Sequence, residues 1–478
     1  MDSITLLSLI VFIPLVGAFL LPLAAKVHKN LRNALALLFV AAPLALCALC
    51  IPNALNGTPY SFNVSLPLGL NFGFHADTLA LFMACTASFL GVVIIVYSYG
   101  YMAHFEHQNE YYLMVVLFLG AMMGITLTTS LIFLYLFWEI SALCCWRLIG
   151  FFREQEYVRR ANKAFLITGA GALVMLAGFL MIYMQYGTTD LLALRGKAVS
   201  GAAVALILCG ILSKSATLPL HSWIADAGIA PTPVTALLHA AVLVKIGVYA
   251  FARLFLVTFK MEAFWHTAVP VIAAVSAILS AGAAIAENDI KRIVAYSTVS
   301  QIGFIFLGLS VGGEFAAAGG LLYILMHGIS KGGLFLCAGV VEHACHTKDI
   351  RELGGLYKTM PVTAASFLLC ALSVMGIPPF GGFFSKYMVI NGAVEANHPW
   401  IAAVFLLGAV MTVIYLLRAF VKVFFGEPKH EHLPKEGSPV MVVSVGVMAA
   451  LSIVSGLLVA YPASMAETAV RQMSEVIR

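Results

Sequence analysis

The stretch GILSKSATLPLHSWIADAG, residues 210–228, places a lysine and a proline inside an apolar run of membrane-spanning length. Proline lacks the backbone donor that a helix interior needs, and its ring clashes with the preceding turn. We therefore expect the helix that carries Lys214 to break at Pro219.

A second stretch, SVMGIPPFGGFFSKYMV at residues 373–389, has a similar composition, with its lysine, Lys386, after the break. The residues that break this helix are Pro378, Pro379, Gly381 and Gly382. Broken helices in corresponding places of two halves indicate an inverted-repeat transporter. Chance kinks are the alternative, because Pro and Gly are common in membrane helices, but the adjacent lysines favour a functional arrangement.

Composition places the whole chain in a membrane. Of its 478 residues, 62% are hydrophobic and 10% are charged, and the mean hydropathy is +0.98, whereas soluble domains carry roughly 25% charged residues. Apolar stretches of about 20 residues, enough to cross the bilayer, recur from Leu6 to Ala460. The sequence predicts an all-α polytopic membrane protein with about fourteen transmembrane helices, counted at that length. The predicted spans begin near Leu6, Leu35, Leu79, Tyr112, Leu131, Ala164, Ala202, Thr235, His266, Ile293, Ala316, Val362, Ile401 and Val440.

The two breaks, in the seventh and twelfth predicted spans, lie five spans apart. Because five is odd, the units around them should have opposite topology. We therefore predict two inverted five-helix repeats, residues 111–258 (fourth to eighth spans) and residues 259–425 (ninth to thirteenth spans). Residues 1–110 would form accessory N-terminal spans. Residues 426–478 would form an inside loop, read as a solvated linker or a partner contact, and the last span.

Orientation follows from the lysines and arginines between spans, which concentrate in cytoplasmic loops. One set of alternate loops holds Lys26, Lys29, Arg32, Arg153, Arg159, Arg160, Lys163, Lys291, Arg292, Lys348, Arg351, Lys358, Arg418, Lys422, Lys429 and Lys435. The other set holds Arg195, Lys197, Arg253, Lys260, Arg471 and Arg478. We expect an integral protein of a prokaryotic cytoplasmic (inner) membrane with both termini outside. No basic, aromatic-interleaved surface suggests nucleic acid.

Five cations fall inside apolar runs: Arg147, Lys214, Lys245, Lys331 and Lys386. Each would cost at least about 2.5–3.5 kcal/mol at a bilayer centre unless it faced a partner or water. A chain that retains them all is expected to move ions. Arg147 cannot carry a proton, because its pKa is too high; it would either hold a carboxylate or, as we favour, reach the inside surface.

Glu139, in LFWEISALCC, is the most isolated acid in any predicted span, and Lys214 is its natural partner. An ion pair that opens and closes would let the lysine alternate between charged and neutral forms. A permanently closed structural pair is the alternative. The sequence favours the switching pair, because buried membrane charges are usually functional.

Two histidines alternate with lysines between the breaks: His239 with Lys245, and His327 with Lys331. The second pair is spaced i, i+4 and shares a helix face. Histidine titrates near neutral pH, so these side chains could relay protons with bound water. A hydrogen-bonded core histidine is the alternative.

The remaining reactive side chains suggest no bound cofactor. Cys47-x-x-Cys50 lies in an apolar helix without the context of a redox motif, so packing is the favoured role. Metal binding by Glu342, His343, Cys345 and His346 is disfavoured by their close spacing. Nucleotide, haem and iron–sulfur motifs do not occur. We expect no cofactor and no redox chemistry in this chain.

Six motifs resemble the antiporter-like membrane subunits of respiratory complex I, of Mrp-type multisubunit sodium/proton antiporters and of complex I-related membrane-bound hydrogenases. They are LFWEISALCCWRLIGF around Glu139, KSATLPLHSWIADAGIAPTPVTALLHAAVLVKIGVY from Lys214, NDIKRIVAYSTVSQIGF from Asn288, HGISKGGLFLCAGVVEH from His327, DIRELGGLYKTMP from Asp349 and GIPPFGGFFSK ending at Lys386. The resemblance covers roughly the third to thirteenth predicted spans.

The resemblance implies roles for the charged residues. Glu139 and Lys214 would be the ion pair of a first half-channel, His239 and Lys245 the link to the centre, His327 and Lys331 its continuation, and Lys386 the terminal carrier of a second half-channel. Lys386 disfavours the subunit class that has glutamate there. The short segment after the last span implies that the long lateral helix of the largest complex I subunit is lacking. Arg147 occupies a position at which this family usually has a neutral residue.

We therefore predict a proton-translocating subunit of a complex I-related oxidoreductase, similar to a membrane-bound hydrogenase. An Mrp-type sodium/proton antiporter subunit is the alternative, and a non-transporting scaffold for peripheral redox subunits is an alternative of another class. A solitary carrier of a small organic substrate is disfavoured. Expected partners are other membrane subunits, peripheral subunits carrying iron–sulfur clusters or a nickel–iron site, lipids, protons and, in the antiporter alternative, sodium.

Overall fold

In the computed structural model, residues 2–429 and 434–477 are described, and most of them are helical. The first half of the chain holds α1 (Ser3–Val27), α2 (Lys29–Leu55), α3 (Thr78–His104), α4 (Gln108–Leu127), α5 (Leu131–Ile149), α6 (Gln155–Tyr186), α7a (Gly201–Lys214), α7b (Ser222–Asp226) and α8 (Thr232–Thr258). The second half holds α9 (Trp265–Ala286), α10 (Ile290–Ser310), α11 (Glu314–Cys345), α12a (Pro361–Met375), α12b (Gly381–Glu395), α13 (Pro399–Phe425), α14 (Pro439–Leu457) and α15 (Ala460–Ile477).

The predicted spans are confirmed in type and order. Twelve helices in the described part of the chain are long and apolar enough to cross a membrane, and α7a and α12a are shorter apolar helices that precede the breaks. Each of the fourteen predicted start positions falls at or inside the helix of that number. The protein is therefore an integral membrane protein, and α7 and α12 are its interrupted spans.

Both breaks occur where the proline positions predict them. Helix α7a ends at Lys214, and Pro219 lies before the start of α7b. Helix α12a ends at Met375, and its C-cap, Gly376, has a φ of +84° that glycine adopts without strain. Pro378 and Pro379 follow before α12b begins. The peptide bonds that precede Pro219 and Pro379 are cis.

The predicted repeat boundaries lie close to helix ends. Residues 258 and 425 close α8 and α13, and residue 110 lies in the first turn of α4. The inverted relation of the two units stays a prediction. Of the predicted inside loop, residues 430–433 lie outside the described residues, and the Glu436 carboxylate accepts a 2.7 Å bond from the Thr363 amide at the start of α12a.

Helices α8, α10 and α11 form the centre of the molecule and are buried over nearly their whole length. Helix α8 contains two π-helical segments, Ala236–Ala241 and Ala252–Thr258. Such segments widen the helix, and they occur often at functional sites. The first includes His239. The two predicted histidine–lysine pairs therefore lie on central helices.

The first helix begins on the side of the molecule that also holds the last helix, and this side is called here the terminal face. It holds the start of α1, an antiparallel hairpin of β1 (Ser61–Ser65) and β2 (Asn71–His75), and α15. A short parallel pair, β3 (Lys197–Ala198) and β4 (Phe259–Lys260), lies at the end of α8. The sequence prediction missed the strands and α15. Their signals are the alternation in SFNVS and an apolar stripe on α15 formed by Ala466, Ala469, Val470 and Met473.

The opposite side, called the basic face, holds most of the predicted inside loops. Three cations counted as loop charges are buried instead, and two of them have carboxylate partners; the third is Arg32, which is 4% exposed. Lys291 lies in the first turn of α10 and pairs with Glu342 at 2.5 Å, and Arg253 lies in α8 and pairs with Asp77 at 2.6 Å. Each of these two has a carboxylate partner, which explains why a charge is tolerated there.

Candidate functional site

The first break brings Lys214 against helix α5. Its ammonium donates to the Trp138 carbonyl at 3.1 Å and to the Ser141 hydroxyl at 2.8 Å, and it lies 5.1 Å from the centre of the Trp138 ring. The side chain is 1% exposed. The sequence indicated Lys214, but the two acceptors were missed although they flank Glu139 in sequence.

The predicted ion pair between Glu139 and Lys214 is not closed in this structure. No carboxylate among the described residues lies within 4.0 Å of the Lys214 ammonium, and one buried carboxylate oxygen of Glu139 has no hydrogen-bond partner. Glu139 is half-buried and shares an α5 face with Leu136 and Leu143, which are exposed. The Glu139 carboxylate thus lies beyond ion-pair distance of the Lys214 ammonium.

Helix α8 supplies His239 and Lys245 to the centre. The His239 ring lies 4.7 Å from the Phe335 ring of α11, and neither of its ring nitrogens has a hydrogen-bond partner. The Lys245 ammonium donates to the carbonyl of Ala240, in the π-helical segment. Both side chains are fully buried.

Lys245 also lies against α11. A Cβ atom added at Gly328 would be 2.8 Å from the Lys245 ammonium nitrogen, so glycine permits the approach. Its neighbour His327 is fully buried with both ring nitrogens unpartnered, and its ring lies 5.8 Å from the Tyr323 ring. The structure therefore places the candidate residues of α8 against α11, and their role as a link stays a prediction.

Lys331 lies one turn beyond His327 and turns toward α10. Its ammonium donates to the Val294 carbonyl at 3.1 Å. The neighbouring Ser330 hydroxyl donates to the Ser373 hydroxyl of α12a at 2.7 Å. Helix α11 thus connects the centre to the second break.

The second break holds Lys386. Its ammonium donates to the Val374 carbonyl at 2.7 Å, and it lies 4.6 Å from the Phe304 ring centre and 5.8 Å from that of Tyr323. Val374 is four residues before Pro378, which has no amide hydrogen to offer its carbonyl. The proline that breaks the helix therefore also frees the acceptor that binds the lysine.

A buried polar network beside Lys386 escaped the sequence analysis. The Tyr323 hydroxyl donates to the Gln301 side-chain oxygen at 2.6 Å, and the Gln301 amide donates to the Thr412 hydroxyl at 3.2 Å. The Tyr415 and Ser297 hydroxyls join at 2.6 Å. Tyr323 is four residues before His327, so an i, i+4 search from the histidine would have found it.

One property unites the four predicted lysines, Lys214, Lys245, Lys331 and Lys386. Each is at most 4% exposed, and each donates to a main-chain carbonyl. Within the residues that the structure describes, none has a carboxylate within 4.0 Å. Main-chain carbonyls therefore hold all four ammonium groups, and aromatic rings lie close to those of Lys214 and Lys386.

The other candidate residues have structural partners. Arg147 was expected either to hold a carboxylate or to reach the inside surface, and the structure shows the first. Arg147 binds Glu110, which also pairs with Arg153 at 2.7 Å. Glu342 accepts from Lys291, and from the Thr232 hydroxyl at 3.1 Å. Across residues 2–429 and 434–477, no group of three or more His, Cys, Asp or Glu side chains is placed to hold a metal ion. The nine cysteines are free, and Cys47 and Cys50 are buried in α2.

The same architecture occurs in solved membrane complexes. A chain of the Mrp complex from Dietzia sp. DQ12-45-1b superposes with a TM-score of 0.90 at 23% identity, over 98% of each chain. A chain of the membrane-bound sulfane sulfur reductase, an archaeal respiratory membrane complex, gives 0.90 at 24% identity, again over 98% of each. A chain of respiratory complex I from Thermus thermophilus gives 0.85 at 24% identity, over 99% of this chain and 100% of that one. These likenesses establish the fold.

Sequence relatives are closer in identity but longer. Na(+)/H(+) antiporter subunit A1 of Staphylococcus saprophyticus is 32% identical over 95% of this chain and 61% of its own length. The Staphylococcus haemolyticus protein of the same name is 31% identical with the same coverage. The chain thus spans about three fifths of the length of these relatives.

Two family models match the chain. The N-terminal model of "NADH-Ubiquinone oxidoreductase (complex I), chain 5" covers residues 63–112. The model "NADH:quinone oxidoreductase/Mrp antiporter, TM" covers residues 128–412, which include both breaks and all four lysines. The chain therefore belongs to the NADH:quinone oxidoreductase/Mrp antiporter family of antiporter-like membrane subunits.

Proposed function

We propose that this chain translocates protons as one subunit of a multisubunit membrane complex. The proposed line comprises Glu139, Lys214, His239, Lys245, His327, Lys331 and Lys386. The observation that carries the proposal is the set of four buried lysines that lack carboxylate partners.

Their cost argues against a purely structural role. At about 2.5–3.5 kcal/mol for each lysine at the bilayer centre, four lysines cost roughly 10–14 kcal/mol. That sum is comparable to the whole net stability of a domain, about 5–15 kcal/mol. A scaffold would be more stable with apolar side chains of similar size in these positions, so retention of all four supports transport.

The chemistry of the line suits proton transfer. A lysine held by a carbonyl can lose its proton to a neighbouring base and keep its position, because a carbonyl does not demand a charged donor. Buried polar groups are nearly always hydrogen-bonded to protein or water. The unpartnered nitrogens of His239 and His327 are therefore natural water-binding sites between the lysines.

Glu139 is the proposed switch. When its carboxylate approaches Lys214, the pair favours the ammonium; when it withdraws, the ammonium loses its counter-charge and the Trp138 carbonyl and Ser141 hydroxyl remain. The distance of more than 4.0 Å between the Glu139 carboxylate and the Lys214 ammonium is compatible with the withdrawn arrangement. A conformational change that moves α5 relative to α7a would convert the one into the other.

The surroundings of Glu139 suggest where a partner subunit binds. Exposed Leu136 and Leu143 flank a half-buried carboxylate on α5. A carboxylate at this depth is costly against lipid, so we propose that another membrane subunit covers this α5 face. Crosslinking from Leu143→Cys should capture a subunit of the complex, and crosslinking to lipid alone would contradict the proposal.

Two candidates remain for the driving event. In the first, electron transfer in partner subunits that carry iron–sulfur clusters or a nickel–iron site drives the protons; the shared fold with a chain of the sulfane sulfur reductase supports a redox-linked assembly in general. In the second, an opposing sodium gradient drives them, as in an Mrp-type antiporter; the 32% identity with Na(+)/H(+) antiporter subunit A1 favours this candidate. Mass spectrometry of the intact complex separates them: peripheral redox subunits support the first, and membrane subunits alone support the second.

The translocation role has a direct test in the intact complex, reconstituted in vesicles with a lumenal pH dye. Glu139→Gln keeps the size of the side chain but removes its charge, and we expect it to lower driven proton translocation at least about tenfold, at the low end of acid–base effects. Glu156→Gln, an exposed acid on the basic face paired with Arg160, is the matched control. Full translocation by Glu139→Gln with normal assembly would leave the switch without support.

A further inference from the structure

The terminal face contains a polar cavity of about 220 Å³ that the proposed line does not use. The residues that matter for its chemistry are His75, Asp77, Arg195, Val257, Gln472 and Met473. Helix α15 forms one wall, and the Gln472 side chain fixes it to α2 by a 2.8 Å bond to the Ala54 carbonyl. At about 30 Å³ for each water molecule, the cavity has room for roughly seven.

A row of side chains on α8 leads from the centre to this cavity. Lys245, Tyr249 and Arg253 are four residues apart, so they lie on nearly one face of the helix, and the row rises about 12 Å. The Arg253 Nε donates to the Tyr249 hydroxyl at 3.1 Å, and that hydroxyl donates to the Thr126 carbonyl at 2.5 Å. The row thus starts at a proposed proton carrier.

The row ends at the cavity in an ion pair. The Arg253 guanidinium donates to both carboxylate oxygens of Asp77, at 2.6 and 2.7 Å. Burial alone would raise the pKa of Asp77, but Arg253 outweighs it and holds the pKa well below its usual range. Asp77 therefore stays ionised, and the bidentate pair separates Tyr249 from the cavity.

Arg195 is the cation on the cavity wall, and it has no hydrogen-bond or ion-pair partner among the described residues. Arg253 and Asp77 offset each other, and Asp190 also acts electrostatically on Arg195. Burial lowers the pKa of His75, with Arg253 and Arg195 acting in the same direction and Asp77 opposing them. Its Nδ1 has no partner, and its Nε2 lies 3.9 Å from Asp77. Gln472, on α15, is uncharged. Burial thus favours the neutral form of His75, so a proton that it accepts is released readily.

We propose that this cavity is the terminal-face entrance of the first five-span unit, and that the Asp77–Arg253 pair is the gate between the entrance and Lys245. The proposal rests on the proton translocation proposed above and adds a route that the predicted line lacks. The positive charge of Arg195 disfavours metal cations such as sodium in the entrance, whereas a proton can cross on water and His75. The gate opens when Arg253 moves away from Tyr249.

Thiol labelling of the intact complex tests the entrance. Met473→Cys and the nearly isosteric Val257→Cys place a thiol on the cavity wall, and Tyr461→Cys places one on the exposed start of α15. After reaction with a water-soluble thiosulfonate in mild detergent, each complex is reconstituted, and its proton translocation is compared with that of the parent treated identically.

We expect both cavity thiols to react and the modified complexes to lose at least about fivefold in translocation, because an added group fills a cavity of about 220 Å³. Modified Tyr461→Cys should translocate like the parent. Reaction without loss, or no reaction at either cavity position, would overturn the proposal. A parent complex that moves no protons would instead overturn the proposed function, and this control keeps the two failures distinct.

The charge of the reagent gives a second readout that does not depend on translocation. A sulfonate-bearing thiosulfonate should react with Met473→Cys faster than a trimethylammonium-bearing one. Adding Arg195→Gln should reduce that ratio severalfold. If both reagents reacted at equal rates, with or without Arg195, the result would contradict an effect of the Arg195 charge on entry.

Discussion

The two broken helices hold their lysines in different surroundings. At the first break, Lys214 binds a carbonyl and a hydroxyl of α5, and an acid, Glu139, lies on the same helix at the surface of the chain. At the second break, Lys386 binds a carbonyl that a proline has freed and lies against two aromatic rings. A lysine at a helix break is therefore placed once beside an acid on a partly exposed helix face and once against aromatic rings and a buried polar network.

This difference suggests a division of labour. In the proposed mechanism, Glu139 switches the charge of Lys214, and the first break would respond to a neighbouring subunit. Lys386 has no acid within 4.0 Å among the described residues. In the proposed mechanism its proton would arrive through the central line. The first unit would receive the driving signal, and the second would deliver the proton.

The largest expected effect concerns the Asp77–Arg253 ion pair, the proposed gate of the first unit. Asp77→Asn leaves Arg253 buried without a counter-charge and should lower the free energy of unfolding by about 3–5 kcal/mol. Because the native pKa of Asp77 is depressed, its contribution is present above the unfolded pKa of about 3.9 and is lost as pH falls toward the native value. Thermal melts of the complex should show a constant difference between pH 6 and 8 that shrinks below pH 4.

Glu467→Gln, an exposed acid on α15, is the control for these melts. Its stability should match that of the parent at every pH. An exposed ion pair contributes less than about 1 kcal/mol. If the free energies of unfolding of Asp77→Asn and the parent differed by less than this amount, the pair would not act as a buried gate.

Lys386→Met tests whether the second break lies on the proton route. It keeps an unbranched side chain and removes the ammonium that binds the Val374 carbonyl. We expect proton translocation to fall about 100-fold, at the scale of a lost acid–base group, with little loss of stability, because a buried charge is replaced by an apolar group. Lys422→Met, at an exposed lysine of α13, should translocate normally. Normal rates in Lys386→Met would remove the second break from the route.

A smaller effect is expected from Ser141→Ala at the first break. Lys214 loses its hydroxyl acceptor but keeps the Trp138 carbonyl. A hydrogen bond to a charged group contributes about 1.5–3 kcal/mol, and retention of the second acceptor should limit the fall in translocation to about tenfold. Ser280→Ala removes a buried hydroxyl that has no partner and serves as the control. Equal losses in the two variants would argue against a special role of Ser141.

The smallest effect should come from Tyr323→Phe beside Lys386. The ring that faces Lys386 and His327 remains, and only the 2.6 Å bond to Gln301 is lost. A net hydrogen bond contributes about 0.5–1.5 kcal/mol to stability, so melts should shift by that amount and translocation should change less than about threefold. A loss as large as that of Lys386→Met would make the hydroxyl a proton carrier.

Much of the site was accessible from the sequence for a physical reason. A proline breaks a helix wherever it stands, and a lysine in an apolar run is visible without a structure, so Lys214, Lys386 and both breaks were predicted. The i, i+4 spacing also placed His327 and Lys331 on one face. Long apolar runs fixed the number and order of the spans.

The acceptors of the lysines could not be predicted in the same way. Lys331 binds the carbonyl of Val294, and carbonyl acceptors carry no signature in the side-chain sequence. The open state of Glu139 depends on how α5 packs against α7a. Arg253 and Lys291 were counted as loop charges because each lies near the end of an apolar run, and their buried partners come from helices far away in sequence. Helix α15 was missed because its apolar stripe is short.

The most direct test of a single route through both breaks compares Glu139→Gln, Lys386→Met and the double variant in the same vesicle preparation. The initial rate of driven proton translocation is measured for each. If one line passes through both breaks, each single variant loses most of the rate and the double variant is no slower than the worse of the two. If each single variant keeps about half of the parent rate and only the double variant is inactive, the two units conduct independently, and the single line is wrong.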